Sequence, residues 1–161
     1  MPKVPSNDDL NISRLPVAGR IVTLDIGTKW IGVAVCDPSQ IIARPVSVLR
    51  RSSWKTFLAA VNDILAEFDA VALVLGLPYN FDGSESEMSR EARRLALNFS
   101  KSIQVPVFLQ DERVSTYEAK GRLWLMGYDT TKAERLKDSE AASIILSDFL
   151  ERLSSARKDS T

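Results

Sequence analysis

Asp25 stands inside an apolar run, Ile21-Val22-Thr23-Leu24-Asp25-Ile26. A carboxylate in such a run is costly unless it is paired, hydrogen-bonded or bound to a cation. Three more acids occur where a folded chain could bring them to it. Asp111 and Glu112 follow the apolar run Val105–Leu109, and Asp138 precedes Ala141, Ala142, Ile145 and Phe149 at helical spacing. The chain has no histidine. That removes Ser-His-Asp and Cys-His nucleophile activation and His-ligated zinc. Its single cysteine, Cys36, excludes an internal disulfide and a Cys-rich zinc site, fits a reducing compartment, and reads as a small core residue. Carboxylates without imidazole or thiolate suit one or two hard divalent cations, Mg²⁺ or Mn²⁺. Two such ions about 3.5–4 Å apart can activate a water and stabilise the leaving oxygen in phosphodiester cleavage.

Several cations lie near these elements. Lys29 follows the turn after Asp25, Arg113 follows Glu112, Arg44 precedes Pro45, and Arg90, Arg93 and Arg94 share one segment. Lys and Arg beside carboxylates suit a phosphate-bearing substrate, and Lys29 and Arg113 adjoin the acids most closely. In Tyr79-Asn80-Phe81-Asp82-Gly83, Asn80 could bond substrate and the aromatics could stack on bases. The same stretch also suits a plain turn built on Asp82-Gly83. Ordinary roles compete elsewhere too: Asp111 with Arg113 as a surface ion pair, Asp138 as an acid early in a helix.

The acids must be positioned by a short set of elements. Arg20–Ile26 reads as a strand covered on both faces, Trp30–Cys36 as a second strand, and Ile41–Leu49 as a third interrupted at Pro45. Turns this short make the three an antiparallel meander with the third strand at an edge. Ser52 or Ser53 caps a helix running to about Phe68. The strand Ala70–Leu75 follows a helix and is expected parallel to its neighbour. A polar loop, a charged helix from Glu87 to Lys101 and the strand Val105–Leu109 come next. Ser115 and Glu118 form a capping box for a helix to Met126, stopped at Gly127. A last helix spans Lys132–Leu153. The order predicts an α/β fold: a mixed five-stranded sheet, meander plus parallel strands, with helices on both faces, as in a ribonuclease H-like domain. Ligands bind off the carboxyl ends of parallel strands, where Asp25 and Asp111-Glu112 fall. Side chains alternate along a strand, so at most one of Asp111 and Glu112 faces Asp25 directly.

The 161 residues suit one domain, and Lys+Arg and Asp+Glu both total 21, so any nucleic-acid site must be a local patch. No run approaches the length of a membrane helix. Residues 1–19 hold three prolines and no periodic pattern and are read as a flexible arm; 20–153 form the domain and 154–161 a frayed tail.

Five segments resemble the YqgF family, also called RuvX, nucleases assigned to pre-16S rRNA and related to RuvC-type Holliday junction resolvases. They are LDIGTKWIGVAVCD (Leu24–Asp37), ARP (Ala43–Pro45), VLGLPYNFDGS (Val74–Ser84), DERVST (Asp111–Thr116) and DSEAASIIL (Asp138–Leu146). Tyr79 and Phe81 stand where Leu and Met are more usual, and Lys137 where an apolar residue is usual. The resemblance implies a ribonuclease H-like, metal-dependent nuclease of the cytoplasm that matures the 5′ end of 16S rRNA. It places the metal site at Asp25, Asp111 and/or Glu112, and Asp138.

The expected activity is therefore endonucleolytic, on precursor rRNA within the assembling ribosomal subunit, by a monomer or homodimer. Resolution of branched DNA keeps the fold and changes the substrate. An actin/hexokinase-type ATPase shares the Asp-x-Gly-Thr turn but needs two such domains. A non-catalytic RNA-processing module would leave the separate acids unexplained.

Overall fold

The computed structural model describes residues 15–112 and 130–159, the latter by backbone alone over 130–137. Arg113, the helix expected over Ser115–Met126 with its Gly127 stop, and residues 1–14 of the expected arm lie outside the described residues.

Five strands, β1 (Ile21–Ile26), β2 (Trp30–Cys36), β3 (Ala43–Arg50), β4 (Ala72–Leu77) and β5 (Val107–Asp111), form one sheet in the order β3-β2-β1-β4-β5. β1–β2 and β2–β3 pair antiparallel, and β1–β4 and β4–β5 pair parallel. This is the expected meander followed by parallel strands, in the ribonuclease H-like order. β3 is an edge strand, and its pairing with β2 slips between Val33 and Ala34, opposite Ser47 and Pro45. A proline has no N–H for the ladder, so a bulge at an edge accommodates it.

Three boundaries differ from the sequence reading. β3 starts at Ala43, not Ile41, because the Asp37 carboxylate captures the Ile41 and Ile42 N–H groups at 2.8 and 2.7 Å. β4 lies two residues later than expected, because the chain leaving the helix before it is still closing: the Ala70 N–H bonds the Leu65 carbonyl at 2.9 Å, and Asp69 takes a left-handed φ of 49°. β5 is likewise two residues later and contains Asp111.

Helix α1 (Trp54–Glu67) is capped by Ser53, which accepts from the Thr56 N–H at 3.3 Å. Helix α2 (Glu87–Ser102) begins with a capping box of Ser86 and Ser89. Both lie on one face of the sheet, where Val22, Leu24, Val33, Leu73, Leu75 and Leu109 meet Phe57, Val61, Leu95 and Phe99. The opposite face, with Ile21, Ala34, Val74 and Phe108, is covered by helix α3 (Thr130–Asp159) through Ala142, Leu146, Phe149 and Leu150. Helices therefore cover both faces, and the alternation of each strand assigns every residue a side.

Both ends are more ordered than expected. α3 continues to Asp159 because Arg157 donates to Gln40 Oε1 at 2.8 Å and to the Pro16 carbonyl at 3.0 Å. Leu15 is buried, and the Gly19 N–H bonds the Pro38 carbonyl at 2.8 Å, so residues 15–19 belong to the domain. No described helix is long and apolar enough to cross a membrane.

Gly32 in β2 sets the closest approach of α3. A Cβ there would lie 1.8 Å from the Asp138 carbonyl oxygen and 2.9 Å from the Ser139 nitrogen, and backbone cannot yield as a side-chain tip can. Gly32→Ala is expected to destabilise the fold by about 1–3 kcal/mol through overpacking. Urea unfolding of the two proteins measures this; an unchanged midpoint would show that α3 is free to lift.

Candidate active site

Asp25 is the penultimate residue of β1, and the strand's alternation turns it toward α3 together with Ile21 and Thr23. Its register partner in β2 is Gly32. On its other side the β1–β4 register runs Leu24 to Leu75, so the next pair sets Asp25 beside Gly76. A residue without a side chain therefore flanks Asp25 on each side, and both spaces are filled from elsewhere.

The Gly76 space receives Glu112. A Cβ on Gly76 would stand 2.0 Å from Glu112 Oε2 and 2.8 Å from Ile145 Cδ1. The Glu112 N–H bonds the Leu77 carbonyl at 3.1 Å, which carries the β4–β5 pairing one residue past Asp111. Strand alternation thus persists to Glu112 and turns it to the α3 side with Gln110, the register partner of Gly76. By the same alternation Asp111 belongs with Leu109 and Leu77, on the face of α1 and α2. The choice left open by the sequence resolves in favour of Glu112 as the acid that meets Asp25.

Glu112 is 8% exposed. Burial, first, and then the neighbouring Asp25 carboxylate push its carboxyl well above the ordinary glutamate range, with Asp111 adding a smaller push. The two side chains are hydrogen-bonded, a bond that the protonated Glu112 carboxyl can donate to Asp25. Among the described residues, Oε2 of Glu112 finds no hydrogen-bond partner.

The Gly32 space receives the backbone of Asp138, at the point where α3 passes over β2. Asp138 is thereby brought next to the register pair Asp25–Gly32 through its main chain. Among the described residues no three acids, cysteines or histidines form a group able to hold a metal ion. Among the described residues, the acids whose side chains are shown hydrogen-bonded to each other there are Asp25 and Glu112.

The turn after β1 is braced. The Gly27 N–H bonds the Trp30 carbonyl at 2.9 Å, and the Arg51 N–H bonds the Lys29 carbonyl at 2.8 Å. The Arg51 guanidinium donates to the Gly27 carbonyl at 3.2 Å and to Glu91 of α2 at 2.9 Å. Lys29 is held exposed off the carboxyl end of β1, one turn from Asp25. Arg44 is not brought there. It is exposed, its register partner is Val35 at the other end of β2, and its guanidinium lies 5.8 Å from the Phe68 ring centre. The Asn80 amide nitrogen is spent on its own loop, donating to Ser84 Oγ and the Glu85 carbonyl, both at 3.1 Å.

Gly32 and Gly76 were not singled out from sequence. The available signal was a glycine inside an apolar strand, which marks close approach of another chain segment.

A family model described as "RuvX: Holliday junction resolvase" matches residues 19–152. A protein of Bradyrhizobium sp. strain BTAi1 is 40% identical over 148 residues, covering 91% of each chain. One of Rhodopseudomonas palustris strain TIE-1 is 39% identical over 145 residues, covering 89% of each. Both carry the provisional name pre-16S rRNA nuclease. Among solved structures, RuvC of T. thermophilus in complex with a Holliday junction substrate is similar at a TM-score of 0.47 and 16% identity, over 79% of this chain and 91% of that one.

The raised Glu112 carboxyl sets a pH dependence. Between the ordinary glutamate range and its raised value, the folded chain holds a proton that the unfolded chain has lost. The contribution of Glu112 to stability is therefore full at acid pH and falls as pH rises through that window, by at most about 1.4 kcal/mol per pH unit for one proton. Glu112→Gln, which mimics the protonated acid, is expected to flatten the dependence. Urea midpoints in chelator across pH measure it; identical slopes for the two proteins would refute the assignment.

Proposed function

The chain belongs to the RuvX family, and on that premise we propose that it is a metal-dependent endonuclease acting on precursor 16S rRNA. The observation that carries the reading is buried Glu112 hydrogen-bonded to half-buried Asp25, with one Glu112 oxygen unpartnered among the described residues. A protein gains nothing in stability from burying two acids together; it gains a site that a cation completes.

The donor set fits such an ion. It is all oxygen, it is negatively charged, and Glu112 Oε2 lacks a partner that a cation would supply. Mg²⁺ is commonly held by one or two carboxylates together with water and substrate phosphate, so two acids suffice to begin a site. Asp25 and Glu112 would hold the ion, and Asp138 at the start of the adjoining stretch of α3 is the third acid proposed for it; Asp111, which alternation turns to the opposite face, would serve only through water. When bound, the ion supplies Lewis-acid activation of water and offsets charge on the phosphate.

The chain's own groups do the rest. Gly76 lets the Glu112 carboxylate approach Asp25, and Gly32 lets α3 close over it. Lys29, held by the Arg51 brace, contacts backbone phosphate and orients the strand. Arg113 is assigned the same role from its place beside Glu112. Neither Arg44 nor the Asn80 amide nitrogen has a part in this reading. An rRNA substrate places the protein in the cytoplasm.

The description of the family model supports a second reading, cleavage of four-way DNA junctions. Side-by-side cleavage of precursor rRNA and a synthetic junction, with Mg²⁺ and with Mn²⁺, separates the two.

Asp25→Asn is expected to remove cleavage while the fold persists, with a loss on the order of 100-fold or more. Lys29→Ala should raise KM and leave kcat nearly unchanged, since it removes binding common to ground and transition states. Metal-dependent cleavage of precursor rRNA tests both. Full activity in Asp25→Asn would overturn the site.

A further inference from the structure

We propose that Phe81 is a stacking platform for an unpaired base of the RNA strand engaged by the carboxylate site; this rests on the nuclease reading above. Phe81 is 94% exposed, the most exposed of the large apolar side chains among the described residues and the one aromatic in that group. A single exposed apolar residue on a mobile loop would need no explanation. This loop is not built to let the ring fold back.

Residues 79–86 are locked by their own polar groups. The Asn80 N–H bonds the Ser84 carbonyl at 3.0 Å, and the Gly83 N–H bonds the Asn80 carbonyl at 2.8 Å. The Asn80 amide donates twice, to Ser84 Oγ and to the Glu85 carbonyl. Asp82 accepts from the Ser84 N–H at 2.9 Å, and Gly83 takes a left-handed φ of 86° that few other residues would tolerate. The stem is tied to α2: Arg93 donates to the Tyr79 hydroxyl and, at 2.7 Å, to Glu85. Every named bond holds the loop in the form that leaves Phe81 in water.

The position gives that exposure a use. The loop leaves the carboxyl end of β4, the strand between the one carrying Asp25 and the one leading to Glu112. Exposed Lys29 projects from the same end, and exposed Arg90 lies in the first turns of α2. Asp82 is occupied by Ser84, and Glu85 by Ser89 and Arg93, so the acids of the loop are already engaged. An apolar ring on a loop at the carboxyl end of β4, the end of the sheet off which Lys29 stands, can meet a nucleobase by its face. Phenylalanine has no polar handle, so contact is by stacking and tolerates any base. A base paired within a duplex offers no free face, which selects single-stranded or frayed RNA.

The test uses the full chain carrying Asp25→Asn, so that RNA stays intact, and short single-stranded RNAs with one 2-aminopurine moved along the sequence. Stacking is expected to quench fluorescence at one position. Phe81→Ala and Phe81→Leu should each lose the quench and weaken binding roughly 5- to 150-fold, while Phe81→Trp retains both. Leucine keeps apolar bulk without an aromatic face, so it separates stacking from simple burial. The residue is solvated, and matching circular dichroism spectra would exclude misfolding. Unchanged quench and affinity in the Ala and Leu variants would overturn the proposal while leaving the nuclease reading intact. Absence of both RNA binding and RNA cleavage by the unaltered protein would overturn the nuclease reading and this proposal with it.

Discussion

Glu112 is buried beside Asp25 with one oxygen unpaired, and a fold can hold two carboxylates in that relation only if the backbone around them is fixed. Like charges out of water repel strongly, and any slack in the sheet or in α3 would let them part or let water in. The cost is met by the rest of the molecule. β1 and β4 are buried along nearly their whole length, with a helix layer on each side. The apolar runs recognised first in the sequence are the means by which two acids are kept where neither would go alone.

The two glycines act on opposite sides of the same residue. Gly76 makes room from below for a side chain that belongs to β5, and Gly32 makes room from above for the backbone of α3. Each exchanges local strand stability for proximity, since a glycine contributes neither β-propensity nor packing. That exchange is uneconomical in a structural sheet. It is understandable at the one row where Asp25 needs neighbours closer than two ordinary side chains would permit.

The fold was legible because its signals are local. Ile21–Ile26, Trp30–Cys36 and the later apolar runs have strand length and composition, and the spacing between them dictates which pairs are antiparallel. The ends of β4 and β5 were displaced because an apolar run does not say where its ladder begins; that depended on Asp69, Ala70 and the closing turn of α1. Asp25 was legible as an acid in apolar surroundings. Its choice of Glu112 over Asp111 was not, because that depends on whether the β5 ladder continues through residue 112, which a single backbone bond to Leu77 decides. Arg44 was proposed from its place by the third strand and Asn80 from its loop at a strand end. Register sends the first to the far end of the sheet, and the second is used by its own turn.

In the proposed site a proton and a cation would compete for the same pair of acids. With Glu112 protonated, one hydrogen bond joins it to Asp25, yet Oε2 stays unsatisfied, so the proton is an incomplete solution. A divalent ion could engage both carboxylates at once, and its hold strengthens as pH rises and the proton leaves. The state that is least stable without a cation, the doubly ionised pair, is therefore the one that binds it best. In the proposed metal-bound state a cation at Glu112 Oε2 would supply the partner that the proton does not. Burial of Glu112 beside half-buried Asp25 fits that proposal, because in water the same two acids would be easier to keep apart and would have far less to gain from a cation.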